Sequence, residues 1–342
     1  MINHTNAPNR VWSIVLAGGE GECVRPFIQR WLGRPRPKQF CTFVGSRSML
    51  QHTLDRADRL TQPEHKVTVI VRSHSWEIWP QLGNRPTGMV VVEPANRDTG
   101  AGIFFPLTHI RARDPQATVV IYPSDHFIYP EEKFIEAIRH AVWAAECYED
   151  KVVLLGAPPD RLELDYGWIL PGSEFGTARG RQVRGVHAFW EKPTPVEADV
   201  AMAAGGLWNT MVMVAKVETL WNMGRQCFPE MMQLFAQMRD SIGTSKEARI
   251  LESIYEIMPI VNFPLALLQR AQRHIAVVEL TGVLWSDWGK PERIADSLCR
   301  IGKQPAFPRR HLQADEDMNQ VEAGSLSVGG SKGSSPHVLC AS

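Results

Sequence analysis

Short runs of Val and Ile recur through the first half of the chain, at Val11–Leu16, Lys66–Val71, Met89–Val92, Thr118–Tyr122 and Val152–Leu155. Each is too short for a helix and barely alternates between apolar and polar positions, the pattern of a strand buried on both faces. Segments of helical period lie between them. Met49–Leu60 puts residues 49, 50, 53, 54, 57 and 60 on one side, behind Ser48, whose hydroxyl suits an N-cap. Phe134–Ala145 has a similar period, with Glu131 and Glu132 where a helix dipole favours negative charge. Strands alternating with helices predict an α/β fold with a doubly wound, mainly parallel sheet. Ligands of such sheets sit beyond the carboxyl ends of the strands.

From about residue 166 the pattern loosens. Strand-like pieces at Gly167–Leu170, Val183–Trp190 and Gly206–Ala215 precede helical stretches over Val217–Met238 and Lys246–Met258. This half is expected to supply a second wall of the same cleft. From Lys303 the chain turns polar and then Gly/Ser-rich, with little to bury. The reading is one folded domain over residues 1–302 and a polar, disordered tail over 303–342.

Composition narrows the partners. Lys plus Arg and Asp plus Glu each number 37 in 342 residues, so the formal charge is zero. That balance argues against non-specific binding to nucleic acid or membrane surfaces. No apolar run approaches the roughly 20 residues of a membrane-spanning helix. The start, MINHTNAPNR, lacks the layout of a signal peptide. Six cysteines are scattered without a CxxC spacing, which indicates neither a zinc site nor a disulfide framework and fits a reducing cytoplasm.

Candidate chemistry begins where the first strand ends. Leu16 and Ala17 lead into Gly18, Gly19 and Gly21, a turn whose missing Cβ atoms let backbone N–H groups approach a bulky anion. Lys38, in Pro37-Lys38-Gln39, offers a mobile point charge to the same anion. Glu22 and Cys23 follow Gly21, which excludes a Walker loop, and Val24 stands where a dinucleotide fingerprint needs its third glycine. Asp125, in Pro-Ser-Asp-His after the Thr118–Tyr122 strand, either holds Mg²⁺ against phosphate oxygens or caps a turn. Asp287, in Trp-Ser-Asp-Trp-Gly, supplies a second metal carboxylate or another cap. Glu191-Lys192-Pro193 suits a sugar phosphate, with a solvated charged turn as the alternative. Asn209 beside Trp208 recognises sugar hydroxyls or closes a turn. Glu93-Pro-Ala-Asn-Arg97-Asp-Thr99 lines a base pocket or caps the helix that follows.

Taken in order, these pieces resemble the sugar-phosphate nucleotidyltransferases, and most closely the mannose-1-phosphate guanylyltransferases. Nine motifs carry the resemblance: LAGGEG at 16–21, RP at 25–26, PKQF at 37–40, EPANRDTGAGI at 93–103, PSDH at 123–126, YGWI at 166–169, EKP at 191–193, WNT at 208–210 and WSDWG at 285–289. It implies a Rossmann-like nucleotidyltransferase domain with a mixed, mainly parallel central sheet. It also implies the reaction of GTP with a hexose 1-phosphate to give a GDP-hexose such as GDP-mannose and pyrophosphate. Leu16, Ala17, Gly18, Gly19, Gly21, Glu93, Arg97, Thr99 and Asp125 would bind the nucleotide. Gly167, Glu191, Lys192 and Asn209 would hold the sugar phosphate. Lys38, Arg25 and Asp125 would be catalytic, and Asp125 and Asp287 would bind Mg²⁺. The implied partners are GTP or another nucleoside triphosphate and the sugar phosphate, with neither nucleic acid nor membrane, and with room for a homodimer.

Two departures matter. The family loop carries an arginine at the position of Cys23, which grips the triphosphate. Losing one preorganised charged donor commonly costs about 10²–10³ in rate. Met211 stands where the family has a glycine, which reshapes the sugar pocket. Two alternatives stay open: a nucleotide or sugar-nucleotide binding protein weakened by Cys23, and a nucleotidyltransferase using another base.

Overall fold

All five apolar runs of the first half are strands in the computed structural model, which describes residues 10–178 and 180–311. In chain order the first half comprises β1 (Val11–Leu16), α1 (Arg25–Leu32), α2 (Met49–Asp58), β2 (Lys66–Val71), α3 (Ser75–Leu82), β3 (Met89–Glu93), α4 (Asp98–Arg113), β4 (Thr118–Pro123), β5 (Phe127–Tyr129), α5 (Glu131–Cys147) and β6 (Val152–Ala157). The second half adds β7 (Trp168–Ala178), β8 (Arg181–Trp190), α6 (Pro195–Ala203), β9 (Leu207–Lys216), α7 (Val217–Cys227), α8 (Pro229–Arg239), α9 (Glu247–Ile257), β10 (Ile275–Glu279), β11 (Leu284–Ser286) and α10 (Pro291–Arg300).

Nine strands form one sheet in the order β3-β2-β1-β4-β9-β6-β10-β8-β7. Only β8 and β9 run against the rest, so the sheet is mixed but mainly parallel. Alternate residues of each strand feed two apolar layers. Val15, Val120, Tyr122, Val153, Leu155 and Val214 face the layer built with α2, α3, α5 and α6. Ile14, Val67, Val69, Val119, Ile121 and Met213 face the other, built with α4, α7, α8 and α9. Burial on both sides is why these strands lack polar alternation. A third cluster joins α1, α10 and the β5–β11 ribbon through Phe27, Phe43, Trp288 and Ile294.

Local chemistry accounts for several boundaries. Ser48 closes a capping box on α2: its hydroxyl accepts from the Gln51 amide, while its own amide donates to the Gln51 side chain. Thr194 and Glu197 do the same for α6, a helix not expected from the periodicity. The expected helix over Val217–Met238 is two helices, broken at Phe228 (φ −146°) because Pro229 disfavours helical backbone in the residue before it. Pro229 then opens α8, where its missing N–H costs nothing.

The folded chain runs past the expected boundary at 302. Val44 pairs with Pro305, and Phe307, 4% exposed, packs against Phe27 and Trp31 at 5.1 Å. The expected disordered tail from residue 312 onward lies outside the described residues. Among the described residues no helix is long and apolar enough to cross a membrane.

Candidate functional site

The carboxyl ends of β1, β2, β3 and β4 converge on one side of the sheet, and the glycine turn lies there. Gly18 touches neighbouring strands so closely that a Cβ would meet Val71 at 3.1 Å and the Glu93 carboxylate at 3.2 Å. Gly21 has φ +61°, and a Cβ on it would lie 2.9 Å from Cβ of Lys38. The left-handed backbone and close approach require glycine at 21, and the tight contacts favour it at 18. The turn is held from behind by Gln39, whose amide donates to the carbonyls of Ala17 (3.0 Å) and Gly19 (2.8 Å). A 3-10 turn over Lys38–Phe40 thus delivers Lys38 directly beneath the loop.

Lys38 is 4% exposed. Its Nζ donates to Oδ2 of Asp125 at 2.7 Å and to the backbone carbonyl of Asp287 at 2.6 Å. Three motifs far apart in sequence meet on this ammonium. Burial opposes the Asp125 charge, but the Lys38 ammonium and its hydrogen bond outweigh it, so the carboxyl sits below the usual range. Beside it, burial keeps His126 below the ordinary imidazole value and therefore neutral at pH 7.

A cavity of about 350 Å³ opens beside the turn, lined by Leu16, Gly18, Gly19, Glu93, Asp98 and Thr99 among others. Glu93 is 4% exposed and accepts from the Tyr255 hydroxyl at 2.9 Å; burial pushes its pKa up to about 8. Arg97 does not point a free fork at this cavity. Its guanidinium donates to the Tyr255 carbonyl at 2.6 and 3.0 Å and so fastens the end of α9 to the cavity wall. Thr99 accepts from the Phe263 amide at 2.8 Å, another tie to the second half. Arg25 and Cys23 are exposed, Arg25 as the first residue of α1 and Cys23 in the 3-10 turn before it.

The expected sugar-phosphate residues also assemble. A Cβ on Gly167 would lie 2.7 Å from the Glu191 carboxylate and 3.2 Å from Cβ of Asn209, so the three share one corner. Burial pushes Glu191 up to about 7, partly offset by Lys192. Asn209 accepts from the Met211 amide at 3.1 Å, and its Nδ2 donates to Met211 Sδ at 3.2 Å. Met211 has φ +56°, which explains why a glycine serves this position better. Among the described residues the non-glycine residues with positive φ are Asp98, Lys192, Met211 and Trp288; three fall in candidate motifs and Met211 directly follows one. Backbone strain thus gathers around the candidate site.

Several participants had no role assigned from the sequence, although Tyr166 and Trp285 lie within quoted motifs. Tyr166 donates to Oδ1 of Asp287 at 2.7 Å and packs edge-on against Trp208 and Trp285, each at 5.1 Å. Trp285 in turn donates to His126 at 3.3 Å. These rings form a floor joining the Asp125, Gly167, Asn209 and Asp287 motifs. Arg293 clasps the Asp287 carboxylate at 2.9 and 3.0 Å. No spacing rule marks it. Asp125 and Asp287 were expected to share Mg²⁺, and the pair as it stands does not fit that role. Asp287 already holds the Arg293 guanidinium through both carboxylate oxygens.

Comparison with known proteins places the chain among relatives of one family. The chain is 26% identical over 293 residues to mannose-1-phosphate guanylyltransferase 2 of Escherichia coli O157:H7, covering 83% of this chain and 59% of that protein. It is 28% identical over 287 residues to mannose-1-phosphate guanylyltransferase of Salmonella muenchen, covering 81% and 57%. The chain therefore spans less than two thirds of the length of these relatives. Among solved structures, one from Thermus thermophilus, described as a mannose-1-phosphate geranyltransferase, superposes with a TM-score of 0.72 at 26% identity, covering 86% of this chain and 80% of that one. A Helicobacter pylori mannose-6-phosphate isomerase shares the fold at 18% identity and a TM-score of 0.63. With residues 12–304 matched by the model for the nucleotidyl transferases, and with the glycine turn, Lys38 and Asp125 gathered at one end of its sheet, the chain belongs to the nucleotidyl transferase family.

Proposed function

We propose that the chain transfers a guanylyl group from GTP to a hexose 1-phosphate, with mannose 1-phosphate as the leading candidate. A phosphate oxygen of the sugar phosphate attacks the α-phosphorus. The bond from that phosphorus to the bridging oxygen breaks, and pyrophosphate leaves with the electron pair. The observation that carries this reading is Lys38, held between Asp125 and Asp287 beneath the glycine turn, with Gly167, Glu191 and Asn209 in the facing corner. A fixed ammonium there meets negative charge as it builds at the transferring phosphorus. Glu191 and Asn209 orient the sugar, Lys192 faces its phosphate, and Arg97 shapes the base cavity by holding α9. Positioning and charge neutralisation supply the catalysis. Among the described residues Cys23, Cys41, Cys147, Cys227 and Cys299 form no disulfide. The test is a panel of nucleoside triphosphates and hexose 1-phosphates assayed for pyrophosphate release. Release with GTP and mannose 1-phosphate, absent in Asp125→Asn, supports the reading; no release above that variant with any pair overturns it, and a preference for another base revises it.

Cys23 favours a second reading, in which the chain binds a nucleotide or GDP-sugar with little turnover. Cys23→Arg restores a cation at the exposed end of the glycine turn and should raise kcat about tenfold, less than the 10²–10³ of a fully preorganised donor. An unchanged kcat means that Cys23 is no handicap.

The sugar corner gives two further expectations. Met211→Gly relieves the left-handed backbone and frees the Asn209 amide from a weak thioether acceptor. One hydrogen bond gained is worth about 0.5–1.5 kcal/mol, so KM for the hexose 1-phosphate should fall about 2–10-fold. Glu191 accepts from sugar hydroxyls when ionised, so the same KM should fall as pH rises through about 7. The sign for stability is opposite. The folded state keeps this proton above the ordinary glutamate pKa, so stability declines from the ordinary glutamate range up to about pH 7. Glu191→Gln should flatten both profiles.

A further inference from the structure

Both carboxylate oxygens of Asp287, whose side chain is 25% exposed, are engaged by hydrogen-bond donors. Its Oδ1 accepts from the Tyr166 hydroxyl at 2.7 Å, the Gly289 amide at 2.9 Å and Arg293 Nη1 at 2.9 Å. Its Oδ2 accepts from the same Arg293 Nη1 at 3.0 Å. Arg293 is itself fully engaged. The second arm of its fork reaches Glu163 at 2.7 Å and Asp165 at 2.9 Å, its carbon lies 4.5 Å over the Tyr166 ring, and the side chain is 5% exposed. A guanidinium cannot lose its charge at working pH, so three carboxylates hold a permanent cation. A divalent ion placed on Asp287 would sit against that charge.

The same clasp fixes the turn that follows β11. Trp288 is left-handed at φ +50°, its amide donates to Ser286 Oγ at 3.2 Å, and the Asp287 carbonyl is thereby turned onto Lys38 Nζ at 2.6 Å. Asp125 differs. It meets the single ammonium of Lys38 through Oδ2 at 2.7 Å, its Oδ1 lies 3.6 Å from His126, and its side chain is 32% exposed against 25% for Asp287.

We infer that Arg293 replaces a metal ion as the partner of Asp287, so that Asp287 positions Lys38 through its carbonyl and Asp125 is the one carboxylate of this pair left to touch a divalent cation. A small dication bound by one carboxylate completes its shell with water and phosphate oxygens. Arg293 is then a positioning residue, acting through Asp287 on Lys38. The inference rests on the nucleotidyl-transfer reading for the purpose of the metal, and on geometry alone for its place.

The test is Mn²⁺ binding to the full chain without nucleotide, followed by the electron paramagnetic resonance of free Mn²⁺ up to millimolar concentration. Asp125→Asn should weaken binding about tenfold or more, the scale on which metal sites lose affinity when a group is removed. Asp287→Asn should leave it within about threefold, the remainder of a screened charge at a distance. Arg293→Met opens Asp287 and should tighten Mn²⁺ binding several-fold, an effect that mere loss of packing would not produce. If that variant does not fold, Arg293→Lys keeps the cation without the fork and should bind Mn²⁺ as the unaltered chain does, while Asp287→Asn decides independently. Equal losses in Asp125→Asn and Asp287→Asn, unchanged or weaker binding in folded Arg293→Met, altered binding in Arg293→Lys, or no Mn²⁺ binding to the unaltered chain would each overturn the inference. Because no nucleotide is present, a failed substrate panel leaves this result standing, and a failed Mn²⁺ result leaves the panel standing.

Discussion

Replacing Lys38 by methionine should lower the rate of pyrophosphate release by about 10²–10³, the cost of removing one preorganised charged group from a site of developing charge. Methionine keeps the length and most of the apolar stem, so the fill beneath Gly21 is preserved and only the ammonium is lost. The loss should appear in kcat and in kcat/KM alike, with KM for GTP little changed, because the charge matters most as the transferring phosphorus gains negative charge. Stability should fall modestly, since burial then raises the Asp125 carboxyl without its partner and the Asp287 carbonyl loses its donor. Lys38→Arg is an informative companion. The lysine ammonium makes two contacts of 2.6 and 2.7 Å in a space roofed by Gly21, and a planar fork does not fit both. Arginine should therefore restore only part of the rate. A methionine variant with full kcat would remove Lys38 from the mechanism.

Truncating Trp208 to alanine should destabilise the fold by about 3–5 kcal/mol, the usual range for a large buried aromatic. Trp208 is 3% exposed and touches Tyr166 at 5.1 Å, Trp168 at 6.2 Å and Trp285 at 6.4 Å, so no neighbour can relax far into the space. The site should suffer with the fold, because the same rings carry Asn209 on one side and Asp287 on the other. Trp208→Phe makes the argument sharper. Among the described residues the buried indole N–H of Trp208 has no hydrogen-bond partner, so phenylalanine loses no bond there and keeps a ring against Tyr166. Its cost should be under about 1.5 kcal/mol, typical of a modest change of core shape. Urea midpoints at constant m-value measure both. A phenylalanine variant as unstable as alanine would mean that the ring floor depends on the indole itself.

Much of this molecule was legible in its chain. Unalternating Val/Ile runs gave the strands because a strand covered on both faces must be apolar at every position. Ser48 marked the start of α2, and the glycines at 18 and 21 marked a place where the backbone lacks room for a Cβ. The order of motifs identified the family before any contact was known. Some misses were also local. Pro229 ends α7 by a rule that the long helical period over 217–238 obscured, and Phe307 made the chain past 302 part of the core although its neighbours are polar.

What tertiary structure alone decided is which groups touch. Lys38 meets Asp287 across 249 positions, Tyr166 meets Asp287 across 121, and Arg97 meets Tyr255 across 158. Arg293 is only six residues from Asp287, yet its significance came from Glu163 and Asp165, brought in across the cleft. Local patterns follow from backbone sterics and burial, which each segment carries within itself. The charge at a site is a sum over neighbours that the fold brings together, so sequence named Asp287 as an acid at a strand end. Only the folded chain revealed that a guanidinium already holds it.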